Sequence, residues 1–265
     1  MGGLILLVAV IPLSAIVIAF AAAPAWQNIL VIWVVGTAAT AILGLSDDRH
    51  SLTARCRLLI SLATFALAAA IEPAFNIRLL SFEIAPFELG LGTGWLAVIF
   101  TVICGVGLIN AVNMADGKNG LVIGLCIGWI FILSFRAPSA LMPIIALLLI
   151  ALTIMLAFNL VGRLFLGDGG SYGFSCAIAL LAIAIFNMPG DHAGRAISAD
   201  EVMLLFAVPV LDSFRLTFVR MRRGQSPMTA DRDHLHHHLE NWLGWPQGLI
   251  AYLCIALVPA AMVII

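Results

Sequence analysis

Long apolar runs recur from one end of this 265-residue chain to the other, and that recurrence limits the fold more than any other feature. Crossing the hydrocarbon of a bilayer takes about 17 to 25 apolar residues. On that ruler nine segments stand out, at about 3–22, 27–45, 57–72, 95–112, 120–136, 139–158, 171–188, 200–218 and 248–264. Hydrophobic residues make up 63% of the chain and charged residues 10%, against about 25% charged in a soluble domain. No soluble fold hides that much apolar surface. The high hydropathy is spread along the whole length, which excludes one anchor or a cleaved signal segment as its source. In hydrocarbon every backbone N–H and C=O must be paired within the protein. The expectation is therefore an all-α, polytopic helix bundle forming one membrane domain over residues 1–265, without internal repeats or low-complexity linkers.

The stretch 73–94 alternates weakly, holds Glu83 and Glu88 between Pro73 and Gly94, and reads as a hairpin outside the membrane. Numbering the connections by alternation puts Arg49, Arg55, Arg57, Lys118, Arg163, Arg215, Arg220, Arg222, Arg223 and Arg232 on one side. Only Arg78, Arg136 and Arg195 fall on the other, so the positive-inside rule makes the first side cytoplasmic. The net charge of -1 gives no sign of nucleic acid as a partner. Cys56, Cys104, Cys126, Cys176 and Cys254 lie singly in apolar runs and read as buried free thiols.

The acids carry the first functional signal. Asp47, Asp48, Asp116, Asp168 and Asp212 all fall at the cytoplasmic ends of spans. An ionisable group there is costly unless it is paired, binds a metal or lines a wet cavity. In GLSDDRHSLTARCRLL (44–59), paired aspartates precede Arg49, Arg55 and Arg57, a set able to hold a divalent cation and the phosphates it bridges, or to form a salt-bridged loop. In NAVNMADGKNGL (110–121), Asn110 and Asn113 share a helix face and lead to Asp116, flanked by Gly117 and Gly120. In FNLVGRLFLGDGGSYG (158–173), Gly167, Gly169 and Gly170 surround Asp168 before a helix expected from about Ser171, so backbone N–H groups could approach a phosphate. The polar stretch 220–240 holds Arg222, Arg223, Arg232, His234, His236, His237 and His238, which suit phosphate binding and proton transfer. Asp212 has Arg215 three residues on and reads as its structural partner.

These four motifs, in this order, resemble those of the polyprenyl-phosphate N-acetylhexosamine-1-phosphate transferases, glycosyltransferase family 4. SPMTADRDHLHHHL is closer to the enzymes that initiate O-antigen, teichoic acid and capsule polymers than to the phospho-N-acetylmuramoyl-pentapeptide translocases. The resemblance implies a bacterial inner-membrane enzyme whose active site faces the cytoplasm. Such an enzyme moves a sugar-1-phosphate, N-acetylglucosamine-1-phosphate or similar, from a UDP-sugar to undecaprenyl phosphate. It releases UMP, starts a cell-envelope polysaccharide and uses Mg²⁺, with Mn²⁺ as an alternative. The bilayer is a partner, and a homodimer is compatible with the family.

By resemblance Asp168 binds the metal, with Asp116 as a further ligand or acid, and Asp47 or Asp48 orients the acceptor phosphate or takes its residual proton. His236, His237 and His238 are implied in catalysis. Arg57, Asn110, Asn113, Asn119, Asn159, Phe165, Arg222, Arg223, Arg232 and His234 are implied in substrate binding, Asn159 and Phe165 near the nucleotide base. The chain departs from the family at Asp116-Gly-Lys-Asn119-Gly, where D-G-x-D-G is usual. Met1-Gly-Gly reads as the start of the family's second span, so its first span and basic loop are expected to be missing. Three other readings stay open: an intramembrane aspartyl protease built on Gly167-Asp168, a divalent-cation transporter using the histidines, and an inactive family member.

Overall fold

The computed structural model describes residues 2–21, 23–189, 196–226 and 233–264. It is a bundle of helices with one small hairpin. The first apolar segment is α1 (Gly2–Ile5) and α2 (Ile11–Ala21), joined without a break through a π-helical turn at Leu6–Val10. Then come α3 (Pro24–His50), α4 (Ala54–Ile71), strands β1 (Leu79–Phe82) and β2 (Phe87–Gly90), α5 (Trp95–Ala115), α6 (Leu121–Ser134) and α7 (Met142–Leu160). The chain continues as α8 (Gly167–Phe186), α9 (Ala199–Arg222), α10 (Leu235–Leu243) and α11 (Gln247–Ala260).

All nine expected segments are helical, but two differ in kind. Seven helices among the described residues are long and apolar enough to cross a membrane. The other two are shorter: α6 has 14 residues, or about 21 Å of helix against roughly 30 Å of hydrocarbon, and α11 runs on through a 3-10 turn over Gln247–Val263. Gly120, at φ +86°, opens α6 late, because that left-handed backbone cannot belong to a helix. The expected start of α8 near Ser171 also moves: the helix begins at Gly167 and takes Asp168 into its first turn. The cysteines are free as expected, yet only Cys126 and Cys176 are buried, while Cys56 is half-buried and Cys104 and Cys254 are exposed.

The helix α8 is the axis of the bundle. Every residue in it except Asp168 is buried, so a segment that by sequence could face lipid touches only protein. Small residues permit this. A Cβ on Gly44 of α3 would collide with the backbone of Asp168 and Gly169, one on Gly3 with Gly169, and one on Gly173 with Leu6 and Ala41. Without a hydrophobic drive between helices in lipid, such close backbone approach is a main source of association. The indole of Trp33 on α3 donates to the Ala177 carbonyl of α8 at 2.8 Å, fixing the register of the pair.

At one end of the bundle lie the hairpin and the start of α9. The strands pair antiparallel from Leu79↔Gly90 to Phe82↔Phe87, with the last two rings stacked at 4.4 Å. Asp200 in the first turn of α9 accepts from the amides of Glu83 and Ile84, tying the hairpin down. Helix alternation puts every aspartate-bearing motif at the opposite end.

Candidate active site

Helices α3, α5 and α8 bring three of the four motifs together. Asp168, first-turn residue of α8, has its Oδ1 held by the Asn113 amide from the last turn of α5 at 2.9 Å, and the same amide reaches Ser171 Oγ at 2.9 Å. Asp47, 7% exposed on α3, lies within hydrogen-bonding reach of Asp168. Its other contacts are the Arg57 guanidinium at 2.6 Å and the Leu52 amide at 2.6 Å. Arg57 reaches it because α4 starts at Ala54, with Thr53 Oγ1 accepting from Cys56 N, which turns the arginine back over the α3–α4 link.

Asp48 does something the sequence does not announce. Its carboxylate accepts from the backbone N–H of Asp168 at 3.0 Å and of Gly169 at 3.2 Å. An Asp on α3 therefore caps α8, and the helix N-terminus expected to receive a phosphate is already satisfied at these two amides. A buried helix end needs partners for its orphan N–H groups, and a carboxylate also complements the positive end of the helix dipole. Gly167, at φ +70°, leaves the room, since a Cβ there would meet the Asp48 oxygens.

Asp116 follows the end of α5. Burial pushes its carboxyl up to about 7, reinforced by the charges of Asp168 and Asp48. With Gly117, Lys118, Asn119, Asn159, Phe165, Leu166 and Trp245 it lines a cavity of about 240 Å³. Asn159, at the end of α7, holds this wall: its Oδ1 accepts from Gly120 N at 2.5 Å, and its amide donates to the Leu164 carbonyl at 2.7 Å and to Asn119 Oδ1 at 3.5 Å. The Phe165 ring is 65% exposed at the mouth.

The histidine helix α10 closes over the Asp116 turn. His236 is 1% exposed, stacks on His234 with centroids 5.4 Å apart, and packs so tightly on Gly117 that a Cβ there would strike its Nε2. Among the described residues neither ring nitrogen of His236 has a hydrogen-bond partner. Burial, then the neighbouring His237 and His234, push it down to about 4, so the ring is neutral at pH 7. His237 lies 3.8 Å from Glu240, which pairs with Lys118 at 2.5 Å. Lys118, in the turn where the acid is missing, thus clips the α5–α6 link to α10.

Other expected site residues are not drawn in. The Asn110 amide donates to Val106 O on its own helix. His238 is exposed and bonds Asp233 at 2.7 Å, Arg222 lies over Phe218 of its own helix, and Arg223 is exposed. Arg232 lies outside the described residues. Asp212 pairs with Arg215 at 3.0 Å as expected, but also with His234 and the Leu235 amide, a link across 22 residues that no local spacing marks. Ser171, Glu240 and Trp245 likewise carry no sequence signal as site neighbours; they are ordinary helix or loop residues until the fold places them.

Among the described residues no three His, Cys, Asp or Glu side chains form a metal cage. A bound Mg²⁺ keeps several waters and takes one or two carboxylates plus ligand phosphates. Asp168 and Asp116 supply hard oxygens, and the mutual repulsion felt by Asp116 is the kind a divalent cation relieves.

Comparison with known proteins gives the family. The family model described as Glycosyl transferase family 4 matches residues 30–186, which include Asp47, Asp48, Asp116 and Asp168. The chain is similar to the undecaprenyl-phosphate alpha-N-acetylglucosaminyl 1-phosphate transferase of Yersinia pestis, 30% identical over 205 residues, 74% of this chain and 54% of that protein. A probable undecaprenyl-phosphate N-acetylglucosaminyl 1-phosphate transferase of Bacillus subtilis is 28% identical over 214 residues, 77% of this chain and 56% of that protein. The Escherichia coli K12 undecaprenyl-phosphate alpha-N-acetylglucosaminyl 1-phosphate transferase is 28% identical over 205 residues, 74% and 54%. The chain spans about half the length of these curated relatives. With its motif aspartates gathered at one end of a membrane helix bundle, the chain belongs to glycosyl transferase family 4.

Proposed function

We propose that this chain transfers a sugar-1-phosphate, N-acetylglucosamine-1-phosphate or a close analogue, from a UDP-sugar to undecaprenyl phosphate. The reading places it in the bacterial inner membrane with the site facing the cytoplasm, where it starts a cell-envelope polysaccharide. A phosphate oxygen of the acceptor attacks the β-phosphorus of the UDP-sugar. The bond from that phosphorus to the bridging oxygen breaks, and its electron pair leaves with UMP. With a second pKa of about 6, the acceptor phosphate is mostly dianion at neutral pH, so no strong base is needed. Positioning and charge compensation then supply most of the rate.

The observation that carries the reading is the meeting of Asp168, Asp47 and Asn113 beside the Asp116 cavity. Asp168 and Asp116 would hold Mg²⁺, which when bound neutralises charge on the donor diphosphate. Arg57, aimed by Asp47, offers a guanidinium to a phosphate. Phe165, Asn159 and Asn119 take the nucleotide base, and the neutral His236 is a hydrogen-bonding group beside the Asp116 turn. A second cavity, about 610 Å³ and apolar except for Asp200, runs between α5, α8, α9 and the hairpin as far as Leu108 and Phe214, and suits the isoprenoid chain. The names of the relatives support the acceptor. A cation carrier would hold its acids at mid-span, whereas these sit at helix ends.

The test is transfer of radiolabelled sugar-1-phosphate from UDP-N-acetylglucosamine to undecaprenyl phosphate in membranes, with Mg²⁺ or with EDTA. Metal-dependent labelling of lipid that falls at least ~100-fold in Asp168→Asn is expected. No labelling from any UDP-sugar by a well-expressed chain overturns the reading.

A further inference from the structure

Asp212 sits on α9, one helix away from the carboxylate cluster, and the i,i+3 pairing with Arg215 accounts for only half of it. Both guanidinium contacts, Nε at 3.2 Å and Nη2 at 3.0 Å, go to Oδ1. The other oxygen, Oδ2, receives His234 Nδ1 at 3.0 Å and the backbone N–H of Leu235 at 3.2 Å. Arg215 also donates to the Asp233 carbonyl, so the whole grouping grips the residues that start α10. A surface ion pair on a helix has no reason to be buried, yet Asp212 is 8% exposed and His234 7%.

The chain of contact continues toward the site. His234 is the N-cap of α10; its carbonyl accepts the first helical bonds from the amides of His237 and His238 at 3.0 and 3.3 Å. Its ring is stacked on His236, which presses on Gly117 beside Asp116. Among the described residues the His236 ring nitrogens have no hydrogen-bond partner, so the ring is held by packing, and that packing begins at the ring Asp212 grips. A carboxylate on one ring nitrogen of a histidine fixes its orientation and leaves the other nitrogen for use. A carboxylate at Leu235 N also satisfies an orphan amide of α10 at its positive end.

We propose that Asp212 is a positioning residue for the transfer site, fixing His234 and the start of α10 so that His236 and His237 are held over the Asp116 turn. This rests on the transferase reading above, and it gives Asp212 a role beyond its bond to Arg215. Removing the charge does not strand Arg215, whose side chain is 44% exposed and keeps water and Asp233 as partners, so the groups that lose their partner are His234 and the Leu235 amide.

Two measurements on the full chain test it, one independent of activity. In detergent, hydrogen exchange across residues 233–243 should quicken at least ~10-fold in Asp212→Asn while α8 stays protected, and Asp212→Glu serves if Asn does not accumulate. Unchanged exchange in that segment overturns the proposal, whether or not the wild type transfers sugar-phosphate. In the transfer assay, Asp212→Asn should lower kcat by ~10-fold or more with donor KM within about twofold. Introduced into His234→Gln, it should cost less than about twofold further, since both changes break one contact. Losses that multiply would mean Asp212 acts apart from His234 and sink the proposal. Absence of transfer by the wild type refutes the enzyme reading alone, and the exchange result then decides about Asp212.

Discussion

Asp48 illustrates how far one side chain's role depends on where the backbone takes it. Its two oxygens are committed to Asp168 N and Gly169 N, so its first duty is to the end of α8. Asparagine keeps one acceptor oxygen at the same reach and alanine keeps none. Asp48→Ala should therefore lose about 1 kcal/mol or more of stability, in the range of lost helix caps, while Asp48→Asn should lose clearly less and keep measurable transfer. Thermal unfolding in detergent and the transfer assay check this; an Asn variant as damaged as Ala in both would reject the capping role. Asp116 gives a pH prediction. Its carboxyl lies at about 7 in the folded protein against an ordinary 3.8, held up by burial and by Asp168 and Asp48. Between those values the folded chain keeps a proton that the unfolded chain has released, so stability falls as pH rises from about 4 to 7. In EDTA, Asp116→Asn should thus gain little over wild type at about pH 4 and several degrees of thermal stability at about pH 8, since roughly 2–4 °C follows each kcal/mol in a protein of this size. A gain equal at both pH values would show that the repulsion is not what burdens the wild type.

At the scale of helices, the contact between α3 and α8 is set by glycine. Gly44→Ala should cost at least about 1–3 kcal/mol, because its Cβ would strike the Asp168 and Gly169 backbone, which cannot rotate aside as a side chain can. Because that backbone carries Asp168, the transfer rate should fall with it. Gly107→Ala on α5 is the control: a Cβ there meets nothing within 4 Å, and alanine is the better helix former, so stability should hold or rise. Folded yield and melting temperature of the two variants measure the difference; equal tolerance would mean the helices can separate without harm. The same close approach explains why α8 begins at Gly167 and not near Ser171. Sequence periodicity counts apolar residues, whereas the helix start depends on a cap supplied by α3.

For the molecule as a whole, the alternating helices put the hairpin and the aspartate end on opposite sides, and the excess of arginine at the latter is the ground for the proposed cytoplasmic orientation. In a chain freed of its native cysteines, Glu88→Cys should react with a membrane-impermeant maleimide in intact cells, and Arg223→Cys only after lysis. The reverse pattern would invert the proposed orientation. The sequence alone determined that this chain lives in a membrane, that it is helical, and which acids gather at one end. Those conclusions rest on hydropathy, on the need to pair backbone groups in lipid, and on motifs read along the chain, all of which are local in sequence. The structure alone decided that α8 is buried on every side, that Asp48 caps it, that Asn110 and His238 turn away, and that Asp212 holds His234 across 22 residues. The burial of α8, its cap and the Asp212–His234 link depend on helices distant in sequence meeting at a particular depth and rotation, and that meeting is fixed by the shapes of packed side chains, which no periodicity along a single segment records.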